Sequence, residues 1–270
     1  MMNAERKRNG PARPSRVTRH ASRHGVFITG TDTGVGKTLV TAALASCLTQ
    51  RGLSVGVMKP IETGCRTDGA SGSDAARLYA AAGITEPVEA ISPYRFADPL
   101  APLDAARRAG RTIELRRIVR AYRALAARYA FLLVEGAGGV MVPITPTADT
   151  RDVIVQLGLP AVVVVRAVLG AVNHTLLTLD ALRHRKIPVL GVFLNRFGSP
   201  PQPDDTLQET STIGLLKERC GVPVIGPLPH RSEIAGSWEQ GLAEIAESPA
   251  IRELADLVSG TTRRTSGRSR

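Results

Sequence analysis

Val26-Phe27-Ile28-Thr29-Gly30-Thr31-Asp32-Thr33-Gly34-Val35-Gly36-Lys37-Thr38-Leu39 is the stretch that decides the fold. An apolar run, a glycine-rich turn and a helical pattern over Leu39–Leu48 give strand, loop and helix in the order a phosphate-binding loop requires. Gly34 and Gly36 let backbone N–H groups curl around phosphate oxygens, and the helix N-terminus adds positive potential. Lys37 is expected to reach the β- and γ-phosphates, and the Thr38 hydroxyl to meet Mg²⁺. Five residues separate Gly30 from Gly36 instead of four, so the loop is a variant type.

The same alternation continues along the chain. Apolar runs ending in Gly, Pro, Asn or a charged residue fall at Val26–Thr29, Val55–Lys59, Phe131–Glu135, Ala161–Arg166, Val189–Asn195 and Val224–Gly226. They do not alternate with polar residues, as expected of strands covered on both faces in a parallel sheet. Helical patterns lie near 37–51, 73–82, 112–129, 171–185, 205–220 and 239–258. The expected fold is α/β and P-loop NTPase-like: a doubly wound, mostly parallel sheet of about seven strands with helices on both faces. Ligands bind such sheets at the carboxyl ends of the strands, so the residues ending each strand are the candidates.

The charge distribution sets the boundaries. The chain has 270 residues, 43% of them hydrophobic, and a formal charge of +11. Residues 1–24 account for +6 of this, residues 259–270 for +4, and the remainder for only +1. A single domain is therefore expected over 25–258, between a basic extension at 1–24 and a basic tail at 259–270. Both ends are rich in Arg, Ser, Gly and Pro or Thr, a composition of solvated, disordered segments. No nucleic-acid partner is expected. The N-terminal stretch lacks an apolar core of a secretory signal, and Pro11 and Pro14 interrupt any amphipathic helix. No run approaches 18 apolar residues, so no membrane span is expected. Cys47, Cys65 and Cys220 are odd in number and far apart, which argues against a disulfide framework or a zinc site and suits the cytoplasm.

Several segments at strand ends carry chemistry. Lys59 leaves the second strand in Lys59-Pro60-Ile61-Glu62-Thr63-Gly64. It either holds a phosphoryl group or anionic substrate, or is a surface lysine with its stem buried. In Ser73-Asp74-Ala75, Ser73 reads as a helix cap, while Asp74 either favours the helix dipole or faces Mg²⁺. Glu135 ends the run Leu132-Leu133-Val134 and precedes Gly136-Ala137-Gly138-Gly139. An acid there suits a metal-binding carboxylate, since ionised acids seldom end buried strands without a partner. Leu169-Gly170-Ala171-Val172-Asn173-His174 opens a helix whose N–H groups can receive a carboxylate. Asn195 ends the sixth strand as either a turn residue or a reader of a purine edge. The following Arg196-Phe197-Gly198 does not complete the pattern of guanine-specific proteins.

Together these segments resemble dethiobiotin synthetase. The resemblance runs from about Val26 to Pro229. Its carriers are the loop Gly30–Thr38, Lys59-Pro60 with Thr63-Gly64, Ser73-Asp74, Pro93-Tyr94 with Pro99 and Pro102, Val134–Gly139 with Pro143, Leu169-Gly170 with Asn173-His174, and Asn195. It implies a homodimeric, Mg-ATP-dependent ligase that inserts CO₂ between the two amines of 7,8-diaminononanoate. One amine becomes a carbamate, the carbamate attacks the γ-phosphate to give a carbamic-phosphoric anhydride, and the second amine closes the cyclic urea. Dethiobiotin, ADP and phosphate are the products.

Carried onto this sequence, the resemblance implies catalytic roles for Lys37 and Lys59, and Mg²⁺ ligation by Thr38, Asp74 and Glu135. It implies ATP contacts from Gly34, Val35, Gly36, Lys37, Thr38, Leu39, Asp74, Glu135, Gly136, Ala137, Gly138, Asn195, Arg196 and Pro229. Thr33 and Thr63 would flank the diamine, and the helix start at Gly170 and Asn173 of the partner subunit would hold its carboxylate. The sequence departs from the family pattern at Gly34, often acidic in relatives, at Val168 and Leu103, where some members have lysine and histidine, and at Thr63, which replaces a serine but keeps the hydroxyl. A partitioning or targeting switch ATPase acting on DNA or membrane is the rival expectation, since such proteins share the fold. Their loops carry an extra lysine where this chain has Asp32.

Overall fold

The computed structural model describes residues 25–65, 72–196, 203–228 and 237–260. The basic extension at 1–24 lies outside them, and so does the tail beyond Gly260. Pro229 and the Pro-rich stretch before Pro203 also fall outside the described residues.

In chain order the elements begin with β1 (Gly25–Gly30), α1 (Lys37–Gln50), β2 (Val55–Met58), β3 (Ile61–Thr63) and α2 (Asp74–Ala82). There follow α3 (Val88–Ile91), β4 (Tyr94–Phe96), α4 (Pro102–Arg108), α5 (Leu115–Ala126) and β5 (Phe131–Gly139). The second half holds β6 (Pro143–Thr145), β7 (Ala148–Asp149), α6 (Thr150–Leu157), β8 (Ala161–Arg166) and α7 (Ala171–His184). The chain continues through β9 (Val189–Asn195), α8 (Pro203–Arg219), β10 (Val224–Ile225), α9 (Trp238–Ala246) and α10 (Pro249–Ser259).

The central sheet has the order β10-β9-β8-β1-β5-β2 and is parallel throughout. Six strands stand where about seven were expected. Pro60 explains part of the difference. A residue without an N–H cannot extend the ladder, so β2 stops at Met58 and the chain resumes in β3, which pairs with β4 in a separate two-stranded sheet. The helical pattern at 239–258 is likewise two helices, α9 and α10. Ser248 and Pro249 divide them: Pro249 takes the first turn of α10, where its missing N–H costs nothing, and Ser248 caps the same helix through the Ile251 amide.

Every residue of β1 is buried, as a strand covered on both faces should be. Helix α1 is apolar nearly all round, with Leu39 through Ala45 buried, because α2, α9 and α10 all pack against it. The functional consequence lies at the carboxyl end of β1. This strand sits between β5 and β8, where the chain reverses its direction of travel across the sheet. The crevice of an open α/β sheet forms at that switch point, and the glycine loop opens into it.

Candidate active site

The glycine loop leaves β1 and enters α1 through Gly36, whose φ is 92°. A Cβ there would lie 1.9 Å from Asn195 Nδ2, so both the left-handed backbone and the close approach of Asn195 require glycine. That Asn195 amide donates to the Val35 carbonyl at 2.9 Å and fixes the loop from below. The next side chain, Lys37, is buried and donates to the Asp32 carbonyl at 2.8 Å. Burial pulls its pKa down to about 8, against the opposing pull of Glu135. Its ammonium has no carboxylate in contact among the described residues, and an incoming phosphate would supply the counter-charge it lacks.

Three elements bring a charge cluster to the mouth of this loop. Lys59, just past β2, is almost fully buried and donates to Glu135 Oε1 at 2.5 Å and to Asp74 Oδ2 at 2.8 Å. Burial alone would lower its pKa, but Glu135 and Asp74 outweigh burial and hold it above the usual lysine value. Asp74 shows the converse: burial would raise it, yet Lys59 holds it below the usual carboxylate range. Thr38 Oγ1 donates to Glu135 Oε1 at 2.9 Å and also contacts Asp74. Glu135 is completely buried, and its Oε2 has no partner among the described residues. One hydroxyl and two carboxylates thus converge, with a buried oxygen unspent. Such an all-oxygen set suits a hard divalent cation that keeps several of its waters.

Glu62 was not singled out in the sequence. It sits inside β3, 3% exposed, and its Oε1 accepts from the Asp74 backbone N–H at 2.5 Å. Ser73 Oγ accepts from Ala76 N–H at 3.1 Å, so Ser73 caps α2 as expected and Glu62 covers a second orphan amide of the same turn. Glu62 therefore fixes the helix start that carries Asp74. The one available signal was an acid among the apolar residues after Lys59-Pro60. Glu62→Ala is expected to cost about 1–3 kcal/mol, the penalty for leaving a buried amide unpaired, and to disturb Asp74. Denaturant unfolding and the Mg²⁺ dependence of turnover check this, with Glu62→Gln expected to recover part of the loss.

These residues line a cavity of about 550 Å³. Thr33, Gly34, Gly36, Lys37, Thr38 and Leu39 come from the loop and α1, Lys59 and Thr63 from the ends of β2 and β3, Asp74 from α2, and Glu135, Ala137 and Gly138 from β5. Other candidates lie elsewhere. Val35 is buried behind the loop and takes part through its carbonyl. Gly136 faces Phe27, where a Cβ would come within 2.8 Å of the ring. Asn195 is fully buried and not in the cavity wall; its donor is spent on Val35, and only its Oδ1 is free of a partner among the described residues. Arg196 is paired with Glu209 on α8, with Nε to Oε2 at 2.8 Å. Gly170 and Asn173 are exposed at the start of α7, away from the cavity.

Comparison with known proteins bears on this site. A family model described as an AAA domain matches residues 24–237. An ATP-dependent dethiobiotin synthetase of Anaeromyxobacter dehalogenans (strain 2CP-C) is 46% identical over 225 residues, covering 83% of this chain and 94% of the relative. One from Bacillus cereus (strain ATCC 14579) is 42% identical over 236 residues, covering 87% of this chain and 94% of the relative. The chain belongs to the dethiobiotin synthetase family.

A solved structure of a ParA family ATPase from Chlorobium tepidum superposes with a TM-score of 0.53 at 16% identity, covering 88% of this chain and 99% of that one. This likeness shows the shared P-loop fold. The loop is open on the outside at Gly34. Gly34 has φ 74° and nothing within 4 Å of a Cβ, so backbone conformation, not crowding, favours glycine. Asp32 accepts from the Thr33 amide at 2.6 Å and shapes the loop locally. Val168 and the neighbouring Leu169 are exposed ahead of α7. No helix among the described residues is long and apolar enough to cross a membrane.

Proposed function

We propose that this chain is an Mg-ATP-dependent dethiobiotin synthetase acting on 7,8-diaminononanoate and CO₂ in the cytoplasm. The observation that carries the reading is two buried lysines, Lys37 and Lys59, facing one cavity beside the oxygen set of Thr38, Asp74 and Glu135. Phosphoryl transfer needs positioning and charge neutralisation more than covalent help. Loop amides and Lys37 hold the β- and γ-phosphates. Lys59 meets the anionic carbamate oxygen and the phosphoryl oxygens. Thr38, Asp74 and Glu135 would hold Mg²⁺, which would supply charge neutralisation at the nucleotide.

In the reaction, one substrate amine adds to CO₂ and gives up a proton to solvent, leaving a carbamate. A carbamate oxygen takes the γ-phosphoryl group as ADP departs. The second amine attacks the carbamate carbon, the C–O bond to phosphate breaks as the urea ring closes, and the departing phosphate takes up the amine proton. Thr33 and Thr63 face the diamine, and no general base is required of the protein beyond positioning. Lys59 is unsuited to that role, since its pKa is raised and it stays protonated at neutral pH.

The active unit is a homodimer. Gly170 and Asn173 at the start of α7 would receive the substrate carboxylate of the partner's site. Support comes from the exposed apolar side chains around them, Leu169 at 81% and Leu177 at 61% exposure, which a second copy would cover. The expected result of a coupled assay is phosphate release that depends on both diaminononanoate and CO₂. Equal release from ATP alone would overturn the synthetase reading.

A further inference from the structure

The wall of the cavity carries a feature that the roles above do not use. Arg77 lies three residues after Asp74 on α2, hence on the same helix face, and lines the cavity. Its guanidinium carbon stands 4.6 Å from the centroid of the Trp238 ring, at the start of α9. Trp238 lines the same cavity, and its indole Nε1 is buried without a hydrogen-bond partner among the described residues. Neither the guanidinium nor the indole N–H is hydrogen-bonded to another described residue. The cation is near enough to Asp74 to favour its ionised form.

We propose that Arg77, stacked on Trp238, is a third cationic contact for the phosphates of the nucleotide, with Trp238 as its positioning residue. The inference rests on the ATP reading above. The contact with the ring restrains the guanidinium where it lines the cavity, so that its N–H groups can meet phosphate oxygens at reduced entropic cost. Lys37 and Lys59 approach the phosphates from the loop and from β2. Arg77 adds a third cation from α2.

Trp238 is the only tryptophan of the chain, which makes the test direct. Mg·ADP and Mg·ATP are titrated into the full-length protein, followed by tryptophan emission and by calorimetry. The expected result is a saturable emission change with the calorimetric midpoint. R77A weakens Mg·ADP binding roughly tenfold, the loss of one charge-assisted hydrogen bond, and raises KM for ATP more than it lowers kcat. R77K recovers only part of this, because lysine keeps the charge but not the stacked fork. W238F, which keeps a ring face, binds more tightly than W238A. Should R77A fold poorly, R77Q repeats the measurement. Parental affinity in R77A or R77Q overturns the inference while leaving the ATP reading intact. If the unaltered protein binds neither nucleotide, the ATP reading itself falls, and this inference with it.

Discussion

Replacing Lys59 with Gln is expected to lower kcat by about 10²–10³, the usual cost of removing one preorganised charge donor from a transition state. Mg·ADP affinity should change only a few-fold, because the loop amides and Lys37 are untouched. The split follows from geometry. Lys59 comes from the end of β2, not from the loop, and reaches the site through contacts of 2.5 Å to Glu135 and 2.8 Å to Asp74. Its folded pKa is raised, so the stability it contributes is fully present below the unfolded lysine value and is lost only as pH rises through the folded one. Across the neutral range it is a fixed positive charge. Steady-state kinetics with calorimetry checks the split; parental turnover in the variant would remove Lys59 from the mechanism.

Glu135→Ala is expected to strike both folding and function. Glu135 is 0% exposed and Lys59 only 4%. Taking away one member of a buried pair leaves the other charge uncompensated, at a cost of about 3–5 kcal/mol. Asp74 remains beside Lys59 and is partly exposed, which puts the expected loss toward the lower figure. Thr38 also loses its acceptor, and the oxygen set proposed for Mg²⁺ loses its one fully buried member. Turnover should be undetectable. The double variant Lys59→Met with Glu135→Leu separates the two effects, because apolar groups of similar volume can replace a buried ion pair at little cost. Denaturant unfolding should show recovered stability in the double variant, and the coupled assay no recovered activity. If Glu135→Ala unfolded at the parental denaturant midpoint, the buried pair would not be a structural element.

How far these side chains could be read before folding varies with their distance from the glycine loop. Lys37 and Thr38 were legible because strand, loop and helix are contiguous, and local geometry places them. Lys59, Asp74 and Glu135 each showed as a polar residue at the end of a patterned segment, each with a bland alternative. The folded chain brings Lys59 within hydrogen-bond distance of both carboxylates. Asn195 gains a role no local pattern offered. Its place at a strand end suggested either a turn residue or contact with a purine, and in the folded chain its side-chain nitrogen also braces the loop carbonyl at Val35. Arg77 and Trp238 carried no pattern at all, and Glu62 only that of an acid among apolar residues. Each gains its meaning from a neighbour distant in sequence or from the cavity wall it forms.

The sequence by itself determined the α/β class, the run of parallel strands and the phosphate loop, because these follow from short-range periodicity and from glycines at fixed spacing. The end of β2 before Pro60 and the start of α10 at Pro249 also follow from single prolines, which cannot extend a ladder and fit only the first turn of a helix. Only the tertiary structure decided which charges meet. Setting β5 between β1 and β2 carries Glu135 to the loop and to Lys59, and docking α2 on α1 delivers Asp74. Electrostatic pairing depends on separations of a few ångströms across elements far apart in the chain, and no local pattern encodes those separations.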